Sequence, residues 1–252
     1  MYDYMEKSIR KLDNFILFQM KKTYIPSLTI ALVKDGDVVY SRGYGFKDVE
    51  AGIPTTPKTL YGVGSVTKSF TCLALMKLWS DDMLNPMDPI SQYLDGEYEV
   101  SGEPIRIWHL MTHSSGIPAL AYAENFIRGV TGEFNKYYPF ASPDDVISFM
   151  DGWESWIEDS PGKSFYYLNE GYVILGKIIE YVSGIEYTEY IKENILKPLN
   201  MDRSFFDKKD VESDGDYAQP YIVDREGRYV KSVIPYGIKA DGGLISNALD
   251  LA

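Results

Sequence analysis

The sequence predicts an α/β chain of the α+β kind, with an antiparallel sheet flanked by helices and a mostly helical lobe, on three observations. Strand-rich wording stands near both ends, in "SLTIALVKDGDVVYSRGYG" and "YIVDREGRYVKSV". Helical periodicities fill the middle, from about Asp81 to Asn200. No repeat, low-complexity tract or clear linker divides the chain, so its 252 residues read as one domain in which the helical lobe is inserted between strand-bearing ends. A composition that is 45% hydrophobic and 14% aromatic supplies the core such a domain requires.

Each element has its own local signal. Ile9, Leu12, Phe15, Ile16 and Met20 recur at helical intervals over about Tyr2 to Lys22, an amphipathic helix that should lie against something apolar. Asp35-Gly36 separates two β-rich runs and supplies the positive φ angles of a tight hairpin turn. From Ser65 to Trp79 the residues are apolar nearly all round, as in a helix buried at the centre of a domain. "MDPISQYL", "EPIRIWHLMT", "SPDDVISFM", "NEGYVILGKIIEYVSG" and "EYTEYIKENIL" read as further helices, several opened by Asp, Ser or Pro and one closed by Gly184. Glu226-Gly227 centres a late hairpin, and "SNALDLA" starts a helix at a capping residue.

Charge and hydropathy exclude some classes of function. A formal net charge of -12 with no Lys/Arg cluster repels a phosphate backbone, which argues against nucleic acid as a partner. The opening "MYDYMEKSIRKLDNF" has no uninterrupted apolar stretch, and no run elsewhere approaches the roughly 18 apolar residues of a spanning helix. The chain therefore reads as soluble and cytoplasmic, with no membrane partner. The single Cys72 lies in "TCLALM" and reads as a small core residue rather than a thiol nucleophile.

Serine-x-x-lysine occurs three times, as Ser8 with Lys11, Ser65 with Lys68 and Ser160 with Lys163. Ser65 alone stands in the first turn of a buried helix, in "GVGSVTKSF". There the i to i+3 spacing puts both side chains on one face, and the unbonded N–H groups of the helix start favour developing negative charge. Desolvation favours a neutral amine, a usable base for an otherwise weak hydroxyl nucleophile. The plain alternative is that Ser65 caps the helix while Lys68 extends to water. A phosphate-binding loop fits poorly, because Thr67 stands where G-x-x-x-x-G-K-[ST] needs its second glycine. Tyr167-Leu168-Asn169 is the one Tyr-x-Asn in the chain; it offers either a proton relay and a substrate hydrogen bond or a packing tyrosine beside a capping asparagine. His109 and His113 have the spacing of metal ligands on a helix, but Leu110 replaces the glutamate of H-E-x-x-H and no third ligand is indicated. They read as imidazoles that satisfy backbone groups around the turn at Ser114-Ser115-Gly116, and neither a metal nor a cofactor is expected.

Taken in order, "SLTIALVKDGDVVYSRGYGFKDVEAGIPTTPKTLYGVGSVTKSF", "DPISQYL", "IRIWHLMTHSSGIP", "PGKSFYYLNEGYVILGKIIEYVSG", "ILKPLNM" and "ADGGLISNALDLA" resemble the serine β-lactamase-like superfamily of penicillin-binding proteins. Within it the wording is most similar to the CubicO group, with class C β-lactamases, D-alanyl-D-alanine carboxypeptidases, D-amino-acid peptidases and esterases. The resemblance implies a β-lactamase-like fold. It implies Ser65 as acylated nucleophile, Lys68 as its base partner, Tyr167 as proton carrier to the leaving atom, Asn169 as a hydrogen-bonding partner of substrate or Lys68, and the Ser65 N–H as one oxyanion donor. His113 and Gly116 look structural in that comparison. The Lys-Thr-Gly or His-x-Gly motif that normally follows the "GGL" segment is not found before the chain stops, and "KSV" at Lys231 does not replace it. The expectation is a domain truncated at its C-terminal end, lacking strands, one cleft wall and the second oxyanion donor.

The implied function is that of a serine hydrolase forming an acyl-enzyme, foremost a peptidase on short peptides, with esterase or β-lactamase activity on the same machinery. A non-catalytic ligand-binding protein on this fold is the alternative. A homo-oligomer is compatible with the sequence.

Overall fold

A computed structural model describes residues 2–119, 142–150, 152–234, 236–237 and 239–252; residues 120–141 and 151, within the expected helical lobe, lie outside them. The chain forms two compact units, one of residues 1–62, 201–235 and 245–252, the other of residues 63–200 and 236–244.

The first unit carries the predicted amphipathic helix, α1 (Tyr2–Thr23), and the predicted hairpin, β1 (Ser27–Lys34) and β2 (Asp37–Asp48). The strands pair antiparallel from Ser27 opposite Gly45 to Lys34 opposite Asp37, with a register shift after Leu32. Asp35 and Gly36 turn the chain at φ 54° and 87°, the left-handed values their dipeptide predicts. Ile16 and Met20 of α1 pack with Tyr44, flanked by Leu12, Leu28 and Ile30. Phe15, placed on the same apolar stripe by its spacing, is exposed. Asp13 clamps the helix to the strand by accepting from Tyr40, Tyr44 and Arg42; the Tyr40 hydroxyl contributes most to holding its carboxyl below the usual carboxylate range.

Two features of this unit depart from expectation. Residues Ile53–Pro54 add a short β3 to the free edge of β2. "SNALDLA" forms no helix: the Asn247 side chain accepts from the N–H groups of Leu249 and Asp250, which closes a turn in place of a helix start. Elsewhere in the unit, β4 (Tyr61–Gly62) pairs with a strand at Ile245–Ser246, and the late hairpin forms from Tyr221–Val223 and Tyr229–Lys231.

In the second unit, α2 (Thr67–Ser80) packs against α5 (Asn169–Ser183), and α3 (Ile107–Met111) and α4 (Pro143–Phe149) also pack on α5. The core includes Leu75 and Leu78 of α2, Leu110 of α3, and Ile174, Leu175 and Ile178 of α5. Gly184 ends α5 at φ 69° as expected. α6 (Tyr187–Ile191) continues into a π-helical turn at Lys192–Leu196. "MDPISQYL" yields only a 3₁₀ turn at Ile90–Gln92, because the Ile90 N–H is taken by the Ile105 carbonyl and Pro89 bridges to Arg106.

The burial of α2 also differs from its hydropathy. Thr67, Lys68 and Thr71 are buried with Ala74, Leu75 and Leu78, whereas Leu73, Met76 and Trp79 are exposed. The face turned inward begins with polar groups because each of them finds a partner there.

Gly176 lets α5 approach Ala240: a Cβ at this position would lie 2.7 Å from the Ala240 Cβ, closer than real methyl contacts. Gly176→Ala should therefore destabilise the protein by about 1–3 kcal/mol. Chemical denaturation would show this as a lower midpoint with an unchanged slope.

Candidate active site

The predicted site residues converge in the second unit. A 3₁₀ turn at Gly64–Val66 leads into α2 and presents Ser65 to solvent. One turn on, Lys68 is buried and reaches back, its Nζ 3.3 Å from the Ser65 Oγ. Tyr167, 40% exposed, donates its hydroxyl hydrogen to the same oxygen at 2.7 Å. Lys68 Nζ donates to the Asn169 Oδ1 at 2.8 Å and to the Asp241 carbonyl at 2.5 Å, and it lies 5.1 and 5.2 Å from the ring centres of Tyr167 and Tyr172.

This geometry bears on the readings left open by the short motifs. The N-cap positions Val63 and Val66 make no side-chain cap bond, and the Ser65 oxygen receives Tyr167 and Lys68 instead. Lys68 turns inward rather than extending to water. Asn169 begins α5 with its side chain on the lysine. Neither of the other two serine-x-x-lysine pairs shares this setting: Ser8 lies within α1, and the Ser160 N–H is bonded to the Asp159 side chain.

Several supporting groups carried no signal as short motifs. Thr67 Oγ1 donates to the Gly64 carbonyl and accepts the Leu244 N–H, fixing the turn that holds Ser65. Thr71 Oγ1 donates to the Ala240 carbonyl and shares a 2.7 Å hydrogen bond with the buried Tyr187 hydroxyl. The Asp241 carbonyl belongs to the quoted "ADGGL" segment, but a backbone acceptor leaves no trace in residue type. Thr67 and Thr71 stand four residues apart on one helix face with Lys68 between them, the one pattern that could have flagged them.

The ring nitrogens of both histidines serve backbone groups, but at Arg106 and Leu168 rather than at the expected turn of Ser114-Ser115-Gly116. His109 Nδ1 accepts the Arg106 N–H, and burial, reinforced by the Arg106 charge, pushes its pKa down to about 4. His113 Nδ1 accepts the Leu168 N–H; burial, then the charge of Lys68, lowers its pKa too. Cys72 is half-buried against the Tyr172 hydroxyl, and burial raises its thiol pKa. Among the described residues, no group of three or more His, Cys, Asp or Glu side chains is disposed to hold a metal ion. None of the described helices is long and apolar enough to cross a membrane.

A helix-start serine contacted by the lysine one turn on and by a tyrosine from the start of a second helix defines, on this fold, the serine β-lactamase-like class. Residues 12–252 match the family model described as Beta-lactamase, and the chain belongs to that family. It is 33% identical over 212 residues to Protein flp of Staphylococcus aureus, covering 83% of this chain and 40% of that protein. It is 28% identical over 238 residues to Penicillin-binding protein 4* of Bacillus subtilis, covering 88% of this chain and 50% of that one. An octameric penicillin-binding protein homologue from Pyrococcus abyssi superposes with a TM-score of 0.91 at 51% identity, over 97% of this chain and 55% of the other. The chain thus spans about half the length of these relatives. The β-lactamase-fold homologues are serine hydrolases.

Replacing Thr71 by valine would leave the Ala240 carbonyl and the Tyr187 hydroxyl without their shared partner. A loss of about 1–3 kcal/mol is expected in equilibrium unfolding, whereas the exposed Leu73→Thr on the opposite face should change stability by less than about 0.5 kcal/mol.

Proposed function

We propose that the chain carries the acylation machinery of a serine hydrolase, with Ser65 as nucleophile and Lys68 and Tyr167 as its proton-handling partners. The observation that carries this reading is the Ser65 oxygen lying 2.7 Å from one candidate proton carrier and 3.3 Å from the other, open to solvent while the lysine is buried. At rest both partners donate to that oxygen. Attack requires one of them to have lost its proton, so that the serine hydroxyl donates instead.

The step then balances simply. The Ser65 oxygen bonds to the acyl carbon as its proton passes to the Lys68–Tyr167 pair, and the Ser65 N–H receives the developing oxyanion. The acyl–nitrogen or acyl–oxygen bond breaks as Tyr167 delivers a proton to the leaving atom, and water later releases the acid by the same relay. Asn169 and the Asp241 carbonyl keep the lysine nitrogen beside the serine through both halves.

An amide substrate, foremost a short peptide, is the preferred acyl donor. Two relatives are named for binding penicillin, itself a strained cyclic amide, and this supports an amide-accepting site. The description of the Pyrococcus homologue as octameric supports self-association here.

Incubation with a fluorophosphonate, a penicillin and a p-nitrophenyl ester, followed by mass spectrometry, tests the reading directly. A covalent adduct on Ser65 is expected, with Ser65→Ala unlabelled; an adduct that persists in that variant, or maps to Ser160, overturns the assignment.

Tyr167→Phe keeps the ring against His113 and removes one hydroxyl. It should slow hydrolysis of an amide by about 10²–10⁴ and of a nitrophenyl ester by less, since an amine must be protonated to leave and a nitrophenolate need not be. Equal losses would place Tyr167 in the activation of Ser65 rather than in departure of the leaving group.

A further inference from the structure

His113 holds Tyr167 from three directions. It follows α3 in the left-handed region, at φ 56°. Its carbonyl accepts the Tyr166 N–H at 2.8 Å, and its Nδ1 accepts the Leu168 N–H at 3.0 Å. The backbone is therefore fixed on both sides of Tyr167. The imidazole also stacks on the Tyr167 ring, with centroids 4.3 Å apart and planes at 30°. Phe165 and Tyr172 close around the same imidazole at 5.6 and 5.1 Å. A half-exposed tyrosine would otherwise lose considerable rotamer freedom to keep its hydroxyl on Ser65.

We propose that His113 is the positioning residue of Tyr167: the neutral imidazole seats the phenol on Ser65, and the acylating power of the site falls when the ring takes up a proton. This rests on the reading of Ser65 and Tyr167 as acyl-transfer groups. The bond to Leu168 requires an unprotonated Nδ1, which puts the hydrogen of the neutral ring on Nε2. A proton on Nδ1 would set two donors against each other, release Leu168 and place a cation against the Tyr167 ring.

The titratable groups facing the imidazole are Lys68 from α2, Tyr167 beside it and Tyr172 from α5, with Cys72 behind Tyr172. Burial, then the positive charge of Lys68, holds the imidazole below its ordinary pKa of 6.5, so the ring is neutral at pH 7 and the effect belongs to the acid side. The sign for stability is the same. The unfolded chain takes up this proton at its ordinary pKa, so folding weakens as pH falls through and below that value. Rates must accordingly be compared at matched folded fraction. His109 supplies an internal contrast: its Nδ1 also accepts a backbone N–H, but its ring lies against Trp108.

The test is the second-order rate of Ser65 labelling by a fluorophosphonate between pH 5 and 8, with folding checked by circular dichroism. His113→Asn keeps an acceptor atom at the same branch point, tolerates the left-handed backbone and cannot titrate. His113→Gly tolerates the backbone and loses the acceptor and the ring. At pH 8 the glycine variant should label about 10–100-fold more slowly, the scale of a misplaced catalytic group, and asparagine should recover most of that loss. The ratio of the asparagine rate to the unaltered rate should climb as pH falls, whereas the corresponding ratio for His109→Asn should stay flat. A glycine variant as fast as the unaltered protein, or an asparagine ratio that does not change with pH, overturns the proposal, and the pH ratio decides even if the glycine variant does not fold. No labelling of the unaltered protein sinks the reading of the site and this proposal with it; Ser65 labelling with a flat ratio sinks this proposal alone.

Discussion

The second unit is organised around the buried nitrogen of Lys68. An ammonium removed from water costs several kcal/mol unless its hydrogens are accepted elsewhere. Here the three hydrogens have three acceptors, the Ser65 Oγ, the Asn169 Oδ1 and the Asp241 carbonyl. These come from three stretches of chain far apart in sequence: the start of α2, the start of α5 and the segment around Ala240. Satisfying one cation therefore fixes three backbones relative to one another. The two neighbouring hydroxyls of the same stripe extend the hold, Thr67 on the Leu244 N–H and Thr71 on the Ala240 carbonyl. Segment 240–244 is thereby pinned by side chains of α2 as well as by its own backbone bonds.

This explains why α2 turns polar residues inward while leaving Leu73, Met76 and Trp79 in water. Apolar burial gains roughly 25 cal/mol per Å², so exposing three large apolar side chains would be a poor choice if the buried alternatives were unpartnered. They are not. Thr67, Lys68 and Thr71 each complete hydrogen bonds that the neighbouring backbone would otherwise lack. Gly176 then allows α5 to close on Ala240, so apolar contact and polar satisfaction meet at the same residue.

What the sequence discloses and what it hides follow from the same physics. Period and turn chemistry were legible: α1, the Asp35-Gly36 hairpin, α5 and its Gly184 end all lie where side-chain spacing puts them. Ser65, Lys68, Tyr167 and Asn169 bring identifiable functional groups, and the four side chains singled out in the sequence do meet in one cluster. Hydropathy misled at α2 because it scores a residue without its partner. It misled at "MDPISQYL" because the Ile90 N–H is claimed by Ile105, a contact formed only on folding. "SNALDLA" shows the ambiguity of a capping residue, since the Asn247 amide can start a helix or close a turn with the same bonds. The Asp241 carbonyl, and Leu168 as the particular backbone partner of His113, were invisible for a simpler reason: a backbone group carries no trace of its role in residue type.

The arrangement also divides the labour between the two proton-handling groups in the proposed reaction. Lys68 is buried, and each of its hydrogens is committed to an acceptor within the protein. Moving it away from Ser65 would break two bonds that have nothing to do with substrate. Tyr167 has a single hydroxyl hydrogen, directed at Ser65, and a ring that remains 40% exposed. A small rotation of the phenol would bring its oxygen from the serine to an incoming leaving atom without disturbing the buried network. The lysine is therefore suited to act as a fixed local field and proton reservoir, and the tyrosine as the group that travels between nucleophile and leaving atom. Their differing exposure supports that assignment independently of the basicity of either group.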